Sequence, residues 1–292
     1  MENSEIPITP TVHKEKIERV VGTLEVTDIT PKPENLKDRV PVLLIPGWAE
    51  TPKTHDDTVK TIANEGRRII TIKIPRIGGV KPEGGYSEAE YTKARALVDT
   101  LNKKGIKTTD IIAHSEGALS AIIAAEIFTQ ESQPQRIRNI VFVEPVGLIG
   151  KDHLRNLMGR WGKMVAKDTG RFFRGSRKKN MSRAFAEAIK YAAKNPIRTL
   201  AEAGVVSASD IYKSLSDLKK NGIGVSVIHA VDDTLFPMEK VLEIAKEKGG
   251  MDTIGFYSVK GDHREISVHP EKYAVLAVNA LEDIAKRSEP KP

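Results

Sequence analysis

The sequence predicts an α/β fold in which a mostly parallel central sheet is flanked by helices. Apolar runs of strand length recur along the chain, helical patterns fill most of the gaps between them, and chemically active side chains follow several of the runs. The 292 residues suit one large domain with an insertion better than two independent domains.

Seven apolar runs are predicted to be strands, and six helical patterns follow most of them. The predicted strands are 19–26, 40–45, 69–74, 110–113, 140–143, 225–230 and 253–259. The predicted helices are 54–64, 87–103, 116–128, 209–220, 236–246 and 270–286. Ser87 and Glu90 have the spacing of a capping box, and Gly222 and Gly249 mark helix ends. A loop rich in glycine and proline spans 75–85.

The composition excludes several classes of protein. No stretch approaches the roughly 18 consecutive apolar residues that a membrane-spanning helix needs. Because the chain has no cysteine, it has no disulfide, no thiolate metal site and no cysteine nucleophile. Residues 1–5 are acidic and lack an apolar core, unlike a secretory signal, so the cytoplasm is the predicted location.

The segment Ala113-His114-Ser115-Glu116-Gly117 lies between an apolar run and a helical pattern rich in small residues. A serine in so sharp a turn needs small residues two positions before and after it, because the turn strains its backbone. Such a serine alone is more often a helix cap than a nucleophile. The segment resembles the nucleophile elbow of the α/β-hydrolase family, whose motif is G-x-S-x-G, with Ala113 in place of the first glycine.

The resemblance implies a catalytic triad in the order serine, acid, histidine. In the family the acid usually lies four residues before a proline that opens a helix, which points to Asp233 before Pro237. The family's histidine follows the last strand, which points to His263. Glu144, at the end of an earlier strand, is an alternative acid because some members place theirs there. Asp262 is a weaker alternative beside the histidine.

The chemistry explains why these residue types are needed. A serine hydroxyl is a weak nucleophile, so the His263 imidazole is assigned to take its proton during attack and return it to the leaving group. The Asp233 carboxylate would fix the tautomer of that ring and stabilise the imidazolium. Each residue alone has a plainer interpretation, as a cap, a turn or a surface histidine. Their joint order at strand ends favours the triad.

The same resemblance implies an oxyanion hole made of two backbone N–H groups. One is the amide of Glu116, directly after the serine at a helix N-terminus. The other is the amide of Trp48, because Pro46-Gly47-Trp48 is similar to the family's His-Gly-x loop, with Pro46 in place of histidine. The residues predicted to line the substrate pocket are Gly47, Trp48, His114 and Leu235.

About eighty residues lie between the strand that ends at Val143 and the strand that begins at Val225, far more than a crossover needs. We therefore predict an α/β core over 1–146 and 210–292, with a basic helical cap inserted over 147–209. Residues 151–200 hold fourteen Lys or Arg and three Asp or Glu, a net charge of +11 against +7 for the whole chain.

Apolar residues recur at helical spacing from 154 to 165 among basic ones, which predicts a basic amphipathic helix. Its apolar stripe would pack onto the core as the underside of the cap. Alternatively, the helix would rest on an anionic membrane, or its charge would attract an anionic substrate. Nucleic acid is a weaker expectation, based on Phe172 and Phe173 within the basic run 171–179. The sequence does not indicate an oligomeric state.

The sequence predicts a serine hydrolase that cleaves a small-molecule carboxylic ester, of small or medium acyl chain, without a metal or organic cofactor. By the same resemblance, Ser115 excludes the dehalogenase and epoxide-opening branches, which need aspartate there. Lactones, thioesters, amides and C–C bonds stay open, because they pass through the same tetrahedral chemistry. A binding or receptor protein that keeps the fold, or a surface-docking protein that works through its basic cap, is the alternative class.

Overall fold

The computed structural model describes residues 11–17, 24–48, 50–74, 86–173, 189–249 and 254–288. The described strands are β1 (Thr11–Ile17), β2 (Leu24–Thr30), β3 (Asp38–Ile45), β4 (Arg67–Lys73), β5 (Thr109–His114), β6 (Ile137–Val143), β7 (Gly224–Ala230) and β8 (Gly255–Val259). They form one sheet in the order β1-β2-β4-β3-β5-β6-β7-β8. The β1/β2 and β2/β4 pairs are antiparallel. The other neighbouring pairs, β4/β3, β3/β5, β5/β6, β6/β7 and β7/β8, are parallel.

Helices cover both faces of this sheet, as the predicted fold class requires. They are α1 (Asp56–Asn64), α2 (Glu88–Lys103), α3 (Gly117–Gln130), α4 (Leu154–Phe173), α5 (Pro196–Ala208), α6 (Tyr212–Lys220), α7 (Met238–Lys248), α8 (Glu265–Val268) and α9 (Pro270–Ser288), and residues 189–194 are also helical. Side chains of β5 alternate between the two faces: Ile111 and Ala113 pack with α2 and α3, and Ile112 packs with α1 and α9. Burial on both faces explains why the central strands are continuous apolar runs.

The predicted first strand over 19–26 coincides with β2 at residues 24–26, and residues 19–23 lie outside the described residues. Two antiparallel strands, β1 and β2, lie at this side of the sheet, with Thr11 opposite Thr30. The edge strand is β1, where Val12 is 49% exposed. An edge strand that faces water carries little apolar signal, so the charged sequence of β1 does not predict it.

Local backbone chemistry decides where several helices begin and end. The predicted capping box is present, with Ser87 as the N-cap of α2 and reciprocal hydrogen bonds between Ser87 and Glu90. Gly249 ends α7 in the left-handed conformation, with φ 64°. The helix predicted to begin at Ser209 begins instead at Tyr212, because Ser209 has an extended backbone that ends α5.

Two helices of the predicted insertion, α4 and α5, contact each other and the core. Leu157 and Met164 of α4 and Val206 of α5 are buried in the same apolar cluster as α2 and α3. The division into core and cap stays a prediction, as does contact with a membrane, an anionic substrate or nucleic acid. The side chains of Phe172 and Phe173, residues 174–188 and the loop 75–85 lie outside the described residues. No described helix combines the length and apolar character needed to cross a bilayer.

Candidate active site

The chain turns sharply from β5 into α3 at Ser115, which has φ 50°. Its backbone N–H donates to the carbonyl oxygen of Val143 at the end of β6 (3.0 Å). At Gly117, where α3 begins, a Cβ would lie 2.7 Å from the backbone oxygens of Ile45 and Pro46. The turn therefore requires glycine at this position, and the strained serine is held at the carboxyl edge of the sheet.

Three side chains from distant parts of the chain meet at this edge. Ser115 Oγ lies 2.8 Å from His263 Nε2, and His263 Nδ1 lies 2.9 Å from Asp233 Oδ2. All three residues are buried. The arrangement forms one continuous path of hydrogen bonds from hydroxyl to imidazole to carboxylate.

Asp233 follows β7, and its second oxygen is held by the backbone. Oδ1 accepts hydrogen bonds from the N–H groups of Leu235 (2.7 Å) and Phe236 (2.9 Å). The Phe236 ring also lies edge-on to the His263 ring, with centroids 5.1 Å apart. These contacts leave Oδ2 directed at the imidazole and fix the geometry of the pair.

The two alternative acids make other contacts. Glu144 Oε2 lies 3.3 Å from His114 Nε2, and Asp262 Oδ1 accepts a hydrogen bond from the His263 backbone N–H (2.9 Å). Asp262 also pairs with Lys167 of α4 at 2.6 Å. Of the three candidate carboxylates, Asp233 is therefore the one hydrogen-bonded to the His263 ring.

Burial makes Glu144 an unusual acid. It is fully buried, and its Oε1 has no hydrogen-bond partner among the described residues. Burial, only partly offset by the hydrogen bond with His114 and the nearby charge of His263, raises the pKa of Glu144 to about 7. This carboxyl therefore changes charge near neutral pH beside the triad.

The segments that carry the two predicted oxyanion donors both border Ser115. A Cβ on Gly47 would lie 2.9 Å from the Ser115 Cβ, so the loop that holds Trp48 contacts the nucleophile directly. Glu116 follows the serine as the N-cap of α3, and its carboxylate pairs with Lys93 of α2. The backbone amides of Trp48 and Glu116 thus belong to the two segments that meet at the serine.

The Trp48 side chain connects this loop to the insertion. Its Nε1 donates to Glu202 of α5 (2.7 Å), and its ring lies edge-on to Trp161 of α4, with centroids 6.1 Å apart. Glu202 is 6% exposed and also accepts hydrogen bonds from Tyr191 and Arg198. Sequence reasoning missed this anchor because nothing near Glu202 in the sequence indicates its partner.

A narrow cavity of about 30 Å³ opens directly on Ser115. Its lining, almost wholly apolar, consists of Trp48, Val146, Leu157, Met158, Trp161, Ala203, Val206, Leu235 and Phe236 beside the serine. Helices α4 and α5 supply five of these residues, so both helices border the cavity beside the nucleophile. A cavity of this volume holds little more than one water molecule.

The four residues predicted to line the substrate pocket lie in different places. Trp48 and Leu235 line the cavity. Gly47 lies against Ser115 and lines a neighbouring cavity bordered by Lys93 and Glu116. His114 does not line the cavity; as the next residue along β5 after Ala113, it faces the opposite side of the sheet, among buried polar groups.

That group of buried polar residues centres on Glu50, which sequence reasoning missed. Glu50 Oε2 accepts hydrogen bonds from the backbone N–H of Gly47 (2.7 Å) and lies 2.8 Å from both His55 Nε2 and His114 Nδ1. Sequence offers one weak signal, a carboxylate three positions after the loop glycine. The approach of His114 depends on how β3 and β5 pair.

Charge is concentrated in this cluster. Burial would raise the pKa of Glu50, but the charges of His114 and His55 hold it well below its usual range. Burial would lower the pKa of His114, but Glu50 and the hydrogen bond with Glu144 raise it well above its usual range. Both shifts favour an ionised Glu50 beside a protonated His114.

A metal ion is the other group that two histidines and a carboxylate can hold. The three donor atoms lie within 4.8 Å of one another. However, Glu50 Oε2 is hydrogen-bonded to His55 Nε2, to His114 Nδ1 and to the backbone N–H of Gly47. The three candidate ligand atoms are therefore already hydrogen-bonded to one another. Direct hydrogen bonding accounts for the whole arrangement.

Comparison with solved structures shows which fold this is. An esterase from Exiguobacterium antarcticum is 12% identical with a TM-score of 0.66, over 92% of this chain and all of the other. A carboxylesterase structure from the thaumarchaeon Nitrososphaera gargenis is 14% identical with a TM-score of 0.62, over 94% and 100%. Bromoperoxidase from Bacillus anthracis is 18% identical with a TM-score of 0.61, again over 94% and 100%. No protein-family model matches the sequence, nor does any curated protein sequence.

Proposed function

The chain has the α/β-hydrolase fold, and on that premise we propose that it is a serine hydrolase that cleaves a carboxylic ester through an acyl-enzyme. The observation that carries the proposal is the hydrogen-bonded path from Ser115 through His263 to Asp233, with heavy-atom distances of 2.8 and 2.9 Å. The first distance suits direct proton transfer from the serine hydroxyl to the imidazole, and the second suits a hydrogen bond that orients the ring. The solved relatives include esterases, which agrees with the proposal at the level of the fold.

In the first half of the reaction, Ser115 Oγ attacks the acyl carbon while His263 Nε2 takes the hydroxyl proton. Asp233, held by two backbone N–H groups, keeps His263 Nδ1 protonated and stabilises the imidazolium. The carbonyl oxygen becomes an oxyanion, which the amides of Trp48 and Glu116 stabilise. The ester C–O bond then breaks, and the alcohol leaves with the proton from His263.

In the second half, water attacks the acyl carbon and gives its proton to His263. The new tetrahedral intermediate collapses, Ser115 Oγ regains a proton from His263, and the carboxylic acid leaves. The atoms and charges balance without an external oxidant or reductant. Apart from the substrate and water, the groups that take part in this mechanism belong to the chain itself.

We also propose that residues 147–209 form a cap that selects the acyl group. The cavity over Ser115 is lined by apolar side chains, which favours an uncharged acyl chain over an ionised one. Its volume of about 30 Å³ favours the smallest acyl groups unless α4 or α5 moves. Aryl acetates and butyrates are therefore the first substrates to test.

The experiment combines covalent labelling with turnover. A fluorophosphonate probe should label the wild type at Ser115 with loss of fluoride, and should label neither Ser115→Ala nor His263→Ala. An exposed change on α6, Lys213→Ala, is the control and should leave labelling and p-nitrophenyl acetate hydrolysis intact. Labelling that persists in Ser115→Ala, or a folded wild type that neither reacts with the probe nor hydrolyses esters, would contradict the proposal and favour a binding protein.

A further inference from the structure

The Glu50 carboxylate joins two parts of the candidate site that are separate in sequence. One oxygen, Oε2, accepts the Gly47 backbone N–H at 2.7 Å, and Gly47 directly precedes the proposed oxyanion donor Trp48. The same oxygen lies 2.8 Å from His114 Nδ1, beside the nucleophile. Glu50 therefore fixes the conformation of the oxyanion loop against the end of β5.

His114 continues this path to the proposed base. Its Nε2 lies 2.9 Å from the backbone carbonyl oxygen of His263. A neutral imidazole has one N–H and one acceptor nitrogen, but the partners on both sides of His114 are oxygen acceptors. Hydrogen bonds to the Glu50 carboxylate and the His263 carbonyl therefore both form only when His114 carries two ring protons.

The remaining groups around His114 support this protonation state. The titratable groups that face the ring are Glu50, Glu144, His55 and His263. His55 Nε2 lies 2.8 Å from Glu50 Oε2, and His55 Nδ1 lies 3.3 Å from the Ser267 hydroxyl, so both ring nitrogens of His55 have partners. Two of these groups, Glu50 and Glu144, are carboxyls within 3.3 Å of a His114 ring nitrogen.

We propose that the Glu50–His114 ion pair is a positioning device that sets the oxyanion loop and the His263 backbone against Ser115 at the same time. This inference rests on the proposed serine-hydrolase function. Neither residue touches the reacting atoms: Glu50 acts through Gly47, and His114 acts through the carbonyl of His263. The ion pair is buried, so water does not compete for its hydrogen bonds.

Kinetics test the positioning role. Glu50→Gln keeps the size of the side chain but loses the carboxylate that accepts from Gly47 and His114 together. We expect kcat for p-nitrophenyl acetate to fall about 100-fold, with KM changed less than about threefold, because the misplaced groups act in the transition state. The matched control is Glu131→Gln, a similar change at the exposed end of α3, which should keep the wild-type kcat.

A double-mutant cycle tests whether the two residues act as a pair. His114→Gln removes the charged partner, and the double variant Glu50→Gln/His114→Gln should be no more impaired than the worse single variant. Circular dichroism and the unfolding midpoint establish that each variant is folded at the assay temperature. If the losses of kcat in the two single variants multiplied in the double variant, the two residues would act independently, which would contradict the pairing.

A spectroscopic readout tests the charge separately from activity. In protein labelled with ¹⁵N-histidine, the chain's seven histidines give resolvable ring signals, and His114→Gln identifies the signal of interest. We expect both ring nitrogens of His114 to carry protons at pH 8 in the wild type and in Ser115→Ala, and only one in Glu50→Gln. Because Ser115→Ala is inactive by design, this result does not depend on the proposed function.

Three results would overturn the proposal. One is a neutral His114 ring in the wild type at pH 8, which decides the matter even if Glu50→Gln does not fold. Another is a folded Glu50→Gln with wild-type kcat. The third is a stoichiometric bound metal whose removal by a chelator abolishes activity, since this would assign Glu50, His55 and His114 to a metal centre.

Discussion

Asp233 holds its position by accepting two backbone N–H groups on one oxygen and the His263 ring on the other. Asparagine at this position would present an amide N–H or a neutral oxygen and favour the wrong tautomer of His263. We expect Asp233→Asn to lower kcat by on the order of 10³ to 10⁴, as the equivalent lesion does in the serine-protease triad. Hydrolysis of p-nitrophenyl acetate under saturating substrate measures this change.

Glu144→Gln is the matched comparison for that variant, because Glu144 was the alternative acid. It should lower kcat far less, since the Glu144 carboxyl is not hydrogen-bonded to the His263 ring. A large loss of kcat in Glu144→Gln together with a small loss in Asp233→Asn would assign the role of the triad acid to Glu144.

Glu144 also provides a test of pH-dependent stability. Burial raises its pKa from 4.5 to about 7, so between these values the folded state holds a proton that the unfolded state has released. The ionisation of Glu144 therefore costs stability as pH rises through this window, and glutamine removes the cost. We expect the free energy of unfolding of Glu144→Gln, relative to wild type, to rise by on the order of 1 to 3 kcal/mol from pH 4.5 to pH 7.5. Urea unfolding at a series of pH values measures it, and a constant difference would contradict a shifted pKa.

Single residues also show how far sequence reasoning reaches. Ser115 and Asp233 follow buried apolar strands, and His263 follows the last predicted strand, so the parallel sheet predicts that they share one edge. Glu50 and His55 lie in a loop and a short turn without periodicity, and their meeting with His114 depends on how the loop folds back. Local sequence patterns carry no such information.

At the scale of elements, the sequence predicts strands well where both faces of the strand are buried, and less well at the edge of the sheet. The five central strands β3 to β7 were predicted within three residues at each end, because their apolar runs reflect full burial. The edge strand β1 was missed because water covers one of its sides. Several helix boundaries shifted by one to three residues, since backbone geometry at caps such as Ser209 is invisible to apolar spacing.

Helix α4 contributes Trp161 to the cavity over Ser115, where its ring contacts Trp48. Trp161→Ala would open space above the nucleophile, so longer acyl chains should fit without movement of the helix. We expect the ratio of kcat/KM for p-nitrophenyl hexanoate over acetate to rise about tenfold or more, since each buried methylene is worth roughly a factor of 10 or more in such pockets. A chain-length series of aryl esters measures the ratio.

The control for this series is Lys163→Ala, a change on the exposed side of the same helix. Its ratio should stay at the wild-type value. An unchanged ratio in Trp161→Ala would mean that the acyl chain does not occupy this cavity.

At the scale of the whole molecule, the two edges of the parallel strands have different roles. Ser115, Glu144 and Asp233 lie at the carboxyl ends, where the proposed chemistry takes place. The amino ends of β3 to β6 hold a partly buried ionic network of Asp38, Arg67, Asp110 and Arg138. The strands separate the two groups by their full length, so damage to the network should alter stability without altering the site.

The Arg67–Asp110 pair tests this separation. Both side chains are at most 1% exposed, with a nitrogen–oxygen distance of 2.6 Å. In Arg67→Met, Asp110 keeps Arg138 but loses part of its compensation, so the free energy of unfolding should fall by about 3 kcal/mol. Below the new unfolding midpoint, kcat and KM for p-nitrophenyl acetate should match the wild type. Lys60→Ala, which breaks an exposed pair with Asp57, should change stability by less than about 1 kcal/mol. A folded Arg67→Met with reduced kcat would mean that the two edges are coupled through the sheet.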